Sequence, residues 1–272
     1  MTIEINDLDI NVIIKGTGTP FVMLHGFELD YRSMEGALEP ILDGRDYKRI
    51  YFDLPGMGES ECSDKIQNAD DMLEIVVKLI KELIPEEKFV VAGLSYGGYL
   101  ARGLAKLMPE SILGMLLFCP VIYPRHAQRI LPEHKIVVED LEFLESLNEE
   151  DREEFESFNS VLTENVYDRI HREIIVGTKM GDPIFRENYQ SRGYGFKEDV
   201  DQVDSPYYFP SLVLVGKQDF IVGYKDAVKL MDLYSSLTYV ALESAGHSLH
   251  IEQEELFNLH VRVWLRRINA LL

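Results

Sequence analysis

Cysteine is nearly absent: Cys62 and Cys119 are the only two in 272 residues. Two thiols cannot build a disulfide framework or a four-ligand zinc site, and the expectation is a pair of reduced thiols in a cytoplasmic protein. Long apolar runs are missing as well. The longest, residues 112–119, falls far short of the roughly 20 residues a bilayer-spanning helix needs. Residues 1–5 hold no basic stretch ahead of an apolar one, so no secretory leader is expected. Positive charge is scarce: 27 Lys and Arg against 47 Asp and Glu give a formal charge of −20. That balance argues against nucleic acid and anionic membranes as partners. What is present, 46% hydrophobic and 27% charged residues, is ordinary globular composition. There is no internal repeat or low-complexity tract.

Seven short β-rich runs stand out, at residues 11–15, 21–24, 49–52, 89–93, 113–119, 212–216 and 238–242. They read as strands buried on both faces. Helical patterns lie between them. Residues 70–83 place Leu73, Val76, Val77, Ile80 and Leu83 on one stripe. Residues 97–108 and 223–233 also read as helical, and residues 252–271 carry Leu256, Leu259, Val263, Trp264 and Ile268 as the expected apolar stripe. Alternating strands and helices imply an α/β fold with a mostly parallel sheet flanked by helices. The strand signal fades from about 121 to 206. There, residues 139–156 hold ten acids against one base, Arg152. We read residues 122–205 as an inserted helical cap and residues 1–121 and 206–272 as the core. The acidic run reads as a solvated helix face.

The most specific motif is Gly93-Leu94-Ser95-Tyr96-Gly97-Gly98, which follows the run Phe89-Val90-Val91-Ala92 and opens a helix. That is the setting of a nucleophile elbow. Side chains at 93 and 97 would collide across the sharp turn that presents Ser95, and the helix N-terminus favours developing negative charge. A serine hydroxyl needs a base, and the base an orienting acid. His247 follows the last strand in Ser244-Ala245-Gly246-His247 and is the expected base; His250, three residues on, is expected to cap or pack at the final helix. His126, His134 and His171 fall in the cap and His260 inside the last helix. Asp219, after the strand at 212–216, is the expected acid, with a turn or capping role as its bland alternative. Asp226 is expected inside the next helix. An acyl-transfer oxyanion needs two N–H donors. Tyr96, after the nucleophile, and Phe27, in His25-Gly26-Phe27 after the strand at 21–24, are the candidates, with His25 bracing that loop.

These residues, together with Asp53-Leu54-Pro55-Gly56-Met57-Gly58-Glu59-Ser60, make the chain resemble an α/β-hydrolase of the serine-nucleophile branch with a helical cap. The resemblance spans residues 10–250 and is weakest at 121–206, where the family carries a variable lid. It implies an eight-stranded sheet with one antiparallel strand near the start, a structural role for the loop at 53–60, and no cofactor or metal. Ser95 disfavours the family's dehalogenase and epoxide hydrolase chemistries, which use an aspartate nucleophile. The leading expectation is hydrolysis of a small soluble carboxylic ester, thioester or lactone through an acyl-enzyme. The alternatives are a carbon–carbon bond hydrolase of a meta-cleavage-type diketo acid, in which Arg125, Arg129 or Arg192 would hold a carboxylate; an aminopeptidase of the prolyl type, whose Gly-Gly-Ser-Trp-Gly elbow this chain departs from at Leu94 and Tyr96; and a non-catalytic small-molecule receptor. Glu28, Tyr31, Tyr96, Tyr123, Tyr189, Phe220 and Leu249 are the pocket candidates. The expected partner is a small-molecule substrate, with no nucleic acid and no membrane, and a homodimer left open.

Overall fold

The computed structural model describes residues 1–272. The chain runs β1 (Thr2–Ile5), β2 (Leu8–Lys15), β3 (Thr19–Leu24), α1 (Tyr31–Leu42), β4 (Tyr47–Phe52), α2 (Ala69–Leu83), β5 (Phe89–Leu94), α3 (Tyr96–Leu107) and β6 (Ile112–Phe118). An insertion follows: β7 (Val138–Glu139), α4 (Leu141–Ser146), α5 (Glu149–Phe158), β8 (Val161–Leu162), α6 (Glu164–Ile170), a π-helical turn (His171–Ile175), α7 (Val176–Thr178) and α8 (Pro183–Ser191). The chain then returns to β9 (Ser211–Gly216), α9 (Leu230–Leu233), β10 (Leu237–Leu242), α10 (Leu249–Glu252) and α11 (Glu254–Asn269). No helix is long and apolar enough to cross a membrane.

Eight strands form one sheet in the order β1-β2-β4-β3-β5-β6-β9-β10. β2 is antiparallel to both neighbours, and every other pairing is parallel. Helices cover both faces of the centre, so all six residues of β5 and all six of β9 are buried, and these strands read as unbroken apolar runs. The register aligns Leu24 with Gly93, Leu94 with Phe118, and Gly216 with Leu242. The carboxyl ends of five parallel strands therefore finish along one edge, where ligand sites form in such sheets.

Four elements differ from the sequence reading. β1 went unread because it lies at the sheet edge and buries only Ile5. α1 went unread although Asp30 caps it, accepting the Arg32 N–H at 2.9 Å, and Met34, Ala37, Leu38 and Ile41 form its buried stripe. The helix expected from 223 shrinks to a 3₁₀ turn (Asp226–Lys229) and α9, since Gly223 sits at φ +76° in the turn that follows Asp219. The final helix breaks at Gln253, and its buried stripe is Phe257, Val261, Trp264, Leu265 and Ile268. Leu256, Leu259 and Val263, expected inside, are exposed. Both stripes have helical spacing and share Trp264, whose indole N–H donates to the Pro210 carbonyl at 3.0 Å, and Ile268; the observed phase turns Phe257, Val261 and Leu265 inward beside them.

The insertion has two halves. Its first half supplies six residues, Leu144, Phe155, Val161, Leu162, Val166 and Ile170, of a core of seven that Ile251 of α10 completes. Its second half has none of its own: Phe185, Tyr189, Tyr194 and Val200 pack into the main core of 67 buried residues.

Candidate active site

Ser95 follows β5 directly and precedes α3, at φ 53° and ψ −113°. A non-glycine residue there carries strain of about 1–3 kcal/mol. The surrounding backbone enforces it. A Cβ at Gly97 would stand 2.0 Å from the Leu24 carbonyl oxygen, and one at Gly93 2.4 Å from the Gly97 oxygen. The Ser95 N–H donates to Phe118 O at 3.1 Å, and Ser95 O accepts the N–H groups of Val121 (2.9 Å) and Tyr99 (3.2 Å). The turn is thus tied to β6 on one side and α3 on the other.

Asp219 and His247 arrive on neighbouring loops. Gly216 permits this, since a Cβ there would lie 2.2 Å from Ala245 O and 2.3 Å from Gly246 O. Lys217 N–H bonds Leu242 O and Gln218 N–H bonds Ala245 O, each at 2.9 Å, so the two loops run in register. Asp219 is fully buried. Its Oδ1 accepts the N–H groups of Ile221 (3.0 Å) and Val222 (2.9 Å), and its Oδ2 lies 2.9 Å from His247 Nδ1. Burial would push the Asp219 carboxyl up, but the His247 charge and hydrogen bond, with the two amides, hold it below its usual range. His247 keeps a partly exposed side chain.

Ser95, His247, Gly26 and Phe27 line one cavity of about 640 Å³. The Gly26 backbone presses on the serine: a Cβ at 26 would lie 3.3 Å from Ser95 Cβ. The Phe27 N–H has no acceptor in the protein, and Tyr96 N–H is the first of α3. Aromatic packing holds both residues. The Phe27 ring stacks on Tyr194 (5.3 Å, 3°) and meets Tyr96 edge-on at 5.8 Å. His25 uses both ring nitrogens on backbone, Nδ1–H to Gly26 O (2.7 Å) and Nε2 accepting Leu54 N–H (2.8 Å). Burial lowers its pKa against the nearby Asp53 and Asp30 charges, which matches that neutral bracing form. Asp53 accepts Asn11 Nδ2–H, Tyr31 N–H and Glu59 N–H, so it ties the loop at 53–60 together rather than facing the cavity. His250 packs between Phe118 and Phe257, fully buried, and burial drops its pKa well below the ordinary value.

One cluster has the elements of a metal site: Cys119, Asp219 and His247 offer ligand atoms within 4.8 Å of one another. Its donor set does not fit one. Both Asp219 oxygens already accept hydrogen bonds, and burial beside the Asp219 carboxylate keeps the Cys119 thiol protonated.

The insertion forms the cavity roof. Phe155, Phe158, Ile170, Ile174 and Ile175 face inward, while most acids of α4 and α5 face solvent. The π turn brings Ile170, Ile174 and Ile175 onto one wall, the kind of place where such turns recur. Of the sequence-stated pocket candidates, Glu28 and Phe220 line the cavity. Tyr31, Tyr123, Tyr189 and Leu249 do not, and neither does the Tyr96 ring. Tyr189 is buried behind Phe27, its hydroxyl on that of Tyr96. Leu249 packs in the main core, the Tyr31 ring lies under the Arg32 guanidinium, and the Tyr123 ring under the Lys229 ammonium. Arg129 reaches the wall, but its donors bond the carbonyls of Tyr123, Pro124 and Ile221 and the Tyr194 hydroxyl. Arg125 and Arg192 are on the surface. The roof isoleucines and phenylalanines were missed, although the spacing of 155/158 and 170/174 already marked an amphipathic face.

A serine on a strand-to-helix elbow, a histidine and an aspartate on the next strand-end loops, and a helical insertion overhead define a class of protein. The chain belongs to the alpha/beta hydrolase fold family, whose model matches residues 19–254. An alpha/beta superfamily hydrolase from Oenococcus oeni PSU-1 is 32% identical, with 96% of each chain covered and a TM-score of 0.86. A thermophilic esterase from Thermogutta terrifontis, solved with malate bound, is 25% identical over 96% of this chain and 94% of that one, with a TM-score of 0.67. A Mycoplasma genitalium protein named as a candidate esterase/lipase is 23% identical over 252 residues, 87% of this chain and 85% of its own. The relatives support a hydrolase.

Proposed function

We propose that the protein is a serine carboxylesterase acting on a soluble ester with an apolar acyl group, and that the insertion serves as its cap. The observation that carries this reading is the strained Ser95 facing the same cavity as His247, whose Nδ1 is bonded to the buried Asp219. Asp219 accepts a hydrogen bond from Nδ1–H and so leaves Nε2 as the basic face of the imidazole. His247 takes the Ser95 proton as Oγ attacks the ester carbonyl. The N–H groups of Phe27 and Tyr96 receive the oxyanion; removing one such donor typically costs about 3–4 kcal/mol. The tetrahedral intermediate collapses, His247 protonates the departing alcohol, and water then repeats the sequence on the acyl-enzyme.

The apolar roof supports an acyl group larger than acetyl. A meta-cleavage-type acid has less support, because Arg129 is engaged with carbonyls and no other arginine lines the cavity. A fluorophosphonate probe should label the wild-type protein and leave Ser95→Ala unlabelled. A nitrophenyl ester series should show kcat/KM rising from acetate to butyrate or hexanoate. Folded protein that resists the probe would sink the nucleophile assignment, and a series that falls from acetate would sink the acyl assignment.

A further inference from the structure

The turn after His247 lies on the seam between the two cores. Leu249 packs in the main core and Ile251 in the small core of the insertion. Glu252 closes the turn with a buried side chain. Its Oε1 accepts the N–H groups of Ser160 (2.7 Å) and Val161 (3.2 Å), at the start of the roof strand β8. Its Oε2 accepts the N–H of Gly246, the residue before His247. The fit is close: a Cβ at 246 would stand 3.2 Å from Ser160 Oγ and 3.3 Å from Glu252 Oε2. A buried carboxylate is costly unless hydrogen-bonded, and charge-assisted bonds to N–H groups are strong. The mechanism above leaves this group unused.

We propose that Glu252 is a positioning residue: one carboxylate fastens the backbone ahead of His247 to the roof strand β8, so that the imidazole stays aligned between Asp219 and Ser95. The proposal rests on the reading of His247 as the base. It makes a specific demand on chemistry. A carboxylate accepts at both ends, whereas a carboxamide accepts at one and donates at the other. Glu252→Gln therefore keeps the volume but holds either the roof amides or the Gly246 amide, not both. Glu252→Asp keeps two acceptors on a shorter arm and reaches one side only.

The test uses the whole protein and four readouts: kcat and KM on nitrophenyl butyrate, the fluorophosphonate labelling rate, the melting temperature, and the downfield proton resonance of His247 Nδ1–H. For Glu252→Gln, kcat and labelling should fall about 10- to 100-fold, the scale of an ångström-level misplacement, with KM changed less than about threefold. The Nδ1–H signal should broaden or vanish while the melting temperature stays within a few degrees. Glu252→Asp should lie between Gln and wild type, and it serves as the second variant if Gln lowers folding. Wild-type kcat with an intact Nδ1–H signal would overturn the proposal. So would a kcat loss that tracks melting temperature while the signal persists, since that is a purely structural role. Wild-type protein that is not labelled would count against the nucleophile reading alone, because the resonance still reports whether Glu252 holds His247.

Discussion

The sheet and the first half of the insertion differ in how firmly they hold what they carry. The sheet places Ser95 and Asp219 at the ends of the fully buried strands β5 and β9, and His247 after the edge strand β10, all on a core of 67 buried residues. The roof presents Phe155, Ile170 and Ile174 from a unit with seven. Local stability follows buried apolar contact, so the roof is expected to open before the sheet. On the proposed function, chemistry falls to the region with the larger core and substrate shape to the one with the smaller. The second half of the insertion sits with the larger core. Asp201, just beyond α8, pairs with the buried Arg102 of α3 at 2.6 Å and with Lys229 at 2.8 Å, while Arg102 also donates to Val121 O.

This division can be broken most forcefully at Ser95. Ser95→Ala should lower kcat on the order of 10⁵-fold, with little change in ligand affinity, because the roof is untouched. Steady-state kinetics checks the first half of that statement, and equilibrium binding of a non-hydrolysable substrate analogue the second. Next is the anchor. Asp201→Ala should destabilise the whole fold by about 3–5 kcal/mol, because it leaves Arg102 buried without its carboxylate. Burial works against the Asp201 charge, but Arg102 and Lys229 outweigh it and hold its pKa below the ordinary value. A depressed folded pKa gives stability that is complete above the unfolded value, near 3.9, and is lost as pH falls through the lower folded value. The gap between wild type and Asp201→Ala in denaturant melts should therefore be full at pH 6 and shrink only once the pH has fallen below the unfolded value, near 3.9. A gap that stayed constant would contradict the charge assignment.

Two leucines sharpen the contrast directly. Leu116→Ala, in β6, and Leu144→Ala, in the roof, each remove a buried side chain and should each cost about 2–5 kcal/mol. The first should lower the global melting temperature. The second should raise amide exchange across residues 134–175 and leave the strand amides protected. Equal effects on both sets of amides would mean that the roof unfolds only with the sheet. The smallest expected change is at Phe158, which lines the cavity and is 56% exposed. Phe158→Ala should raise KM for a hexanoyl ester by about fivefold, roughly 1 kcal/mol of lost apolar contact, and leave kcat and the acetyl ester unchanged.

Much of the site was legible because its signals are local. An elbow needs glycines two residues either side of the serine, and a strand followed by Gly-Lys-Gln-Asp or Ala-Gly-His marks a loop end wherever the sheet lies. The cavity wall was less legible. Tyr31, Tyr123 and Tyr189 look like lining by residue type, yet each packs elsewhere, and Leu256 was put inside α11 while Phe257 took that place. A helical period does not state its phase, and an aromatic does not state which surface it meets; both depend on partners far along the chain.

The chain by itself determined the order of seven of the eight sheet strands, the sharp turn at Ser95 and the loop positions of Asp219 and His247, since these follow from residue-by-residue backbone preference and apolar spacing. Only the folded arrangement decided which side chains face the cavity, that Gly216 lets the two strand-end loops meet, and that Glu252 reaches from the seam to β8. Those outcomes depend on close packing between segments remote in sequence, where a single added carbon at 97, 216 or 246 would collide with its neighbours or crowd them.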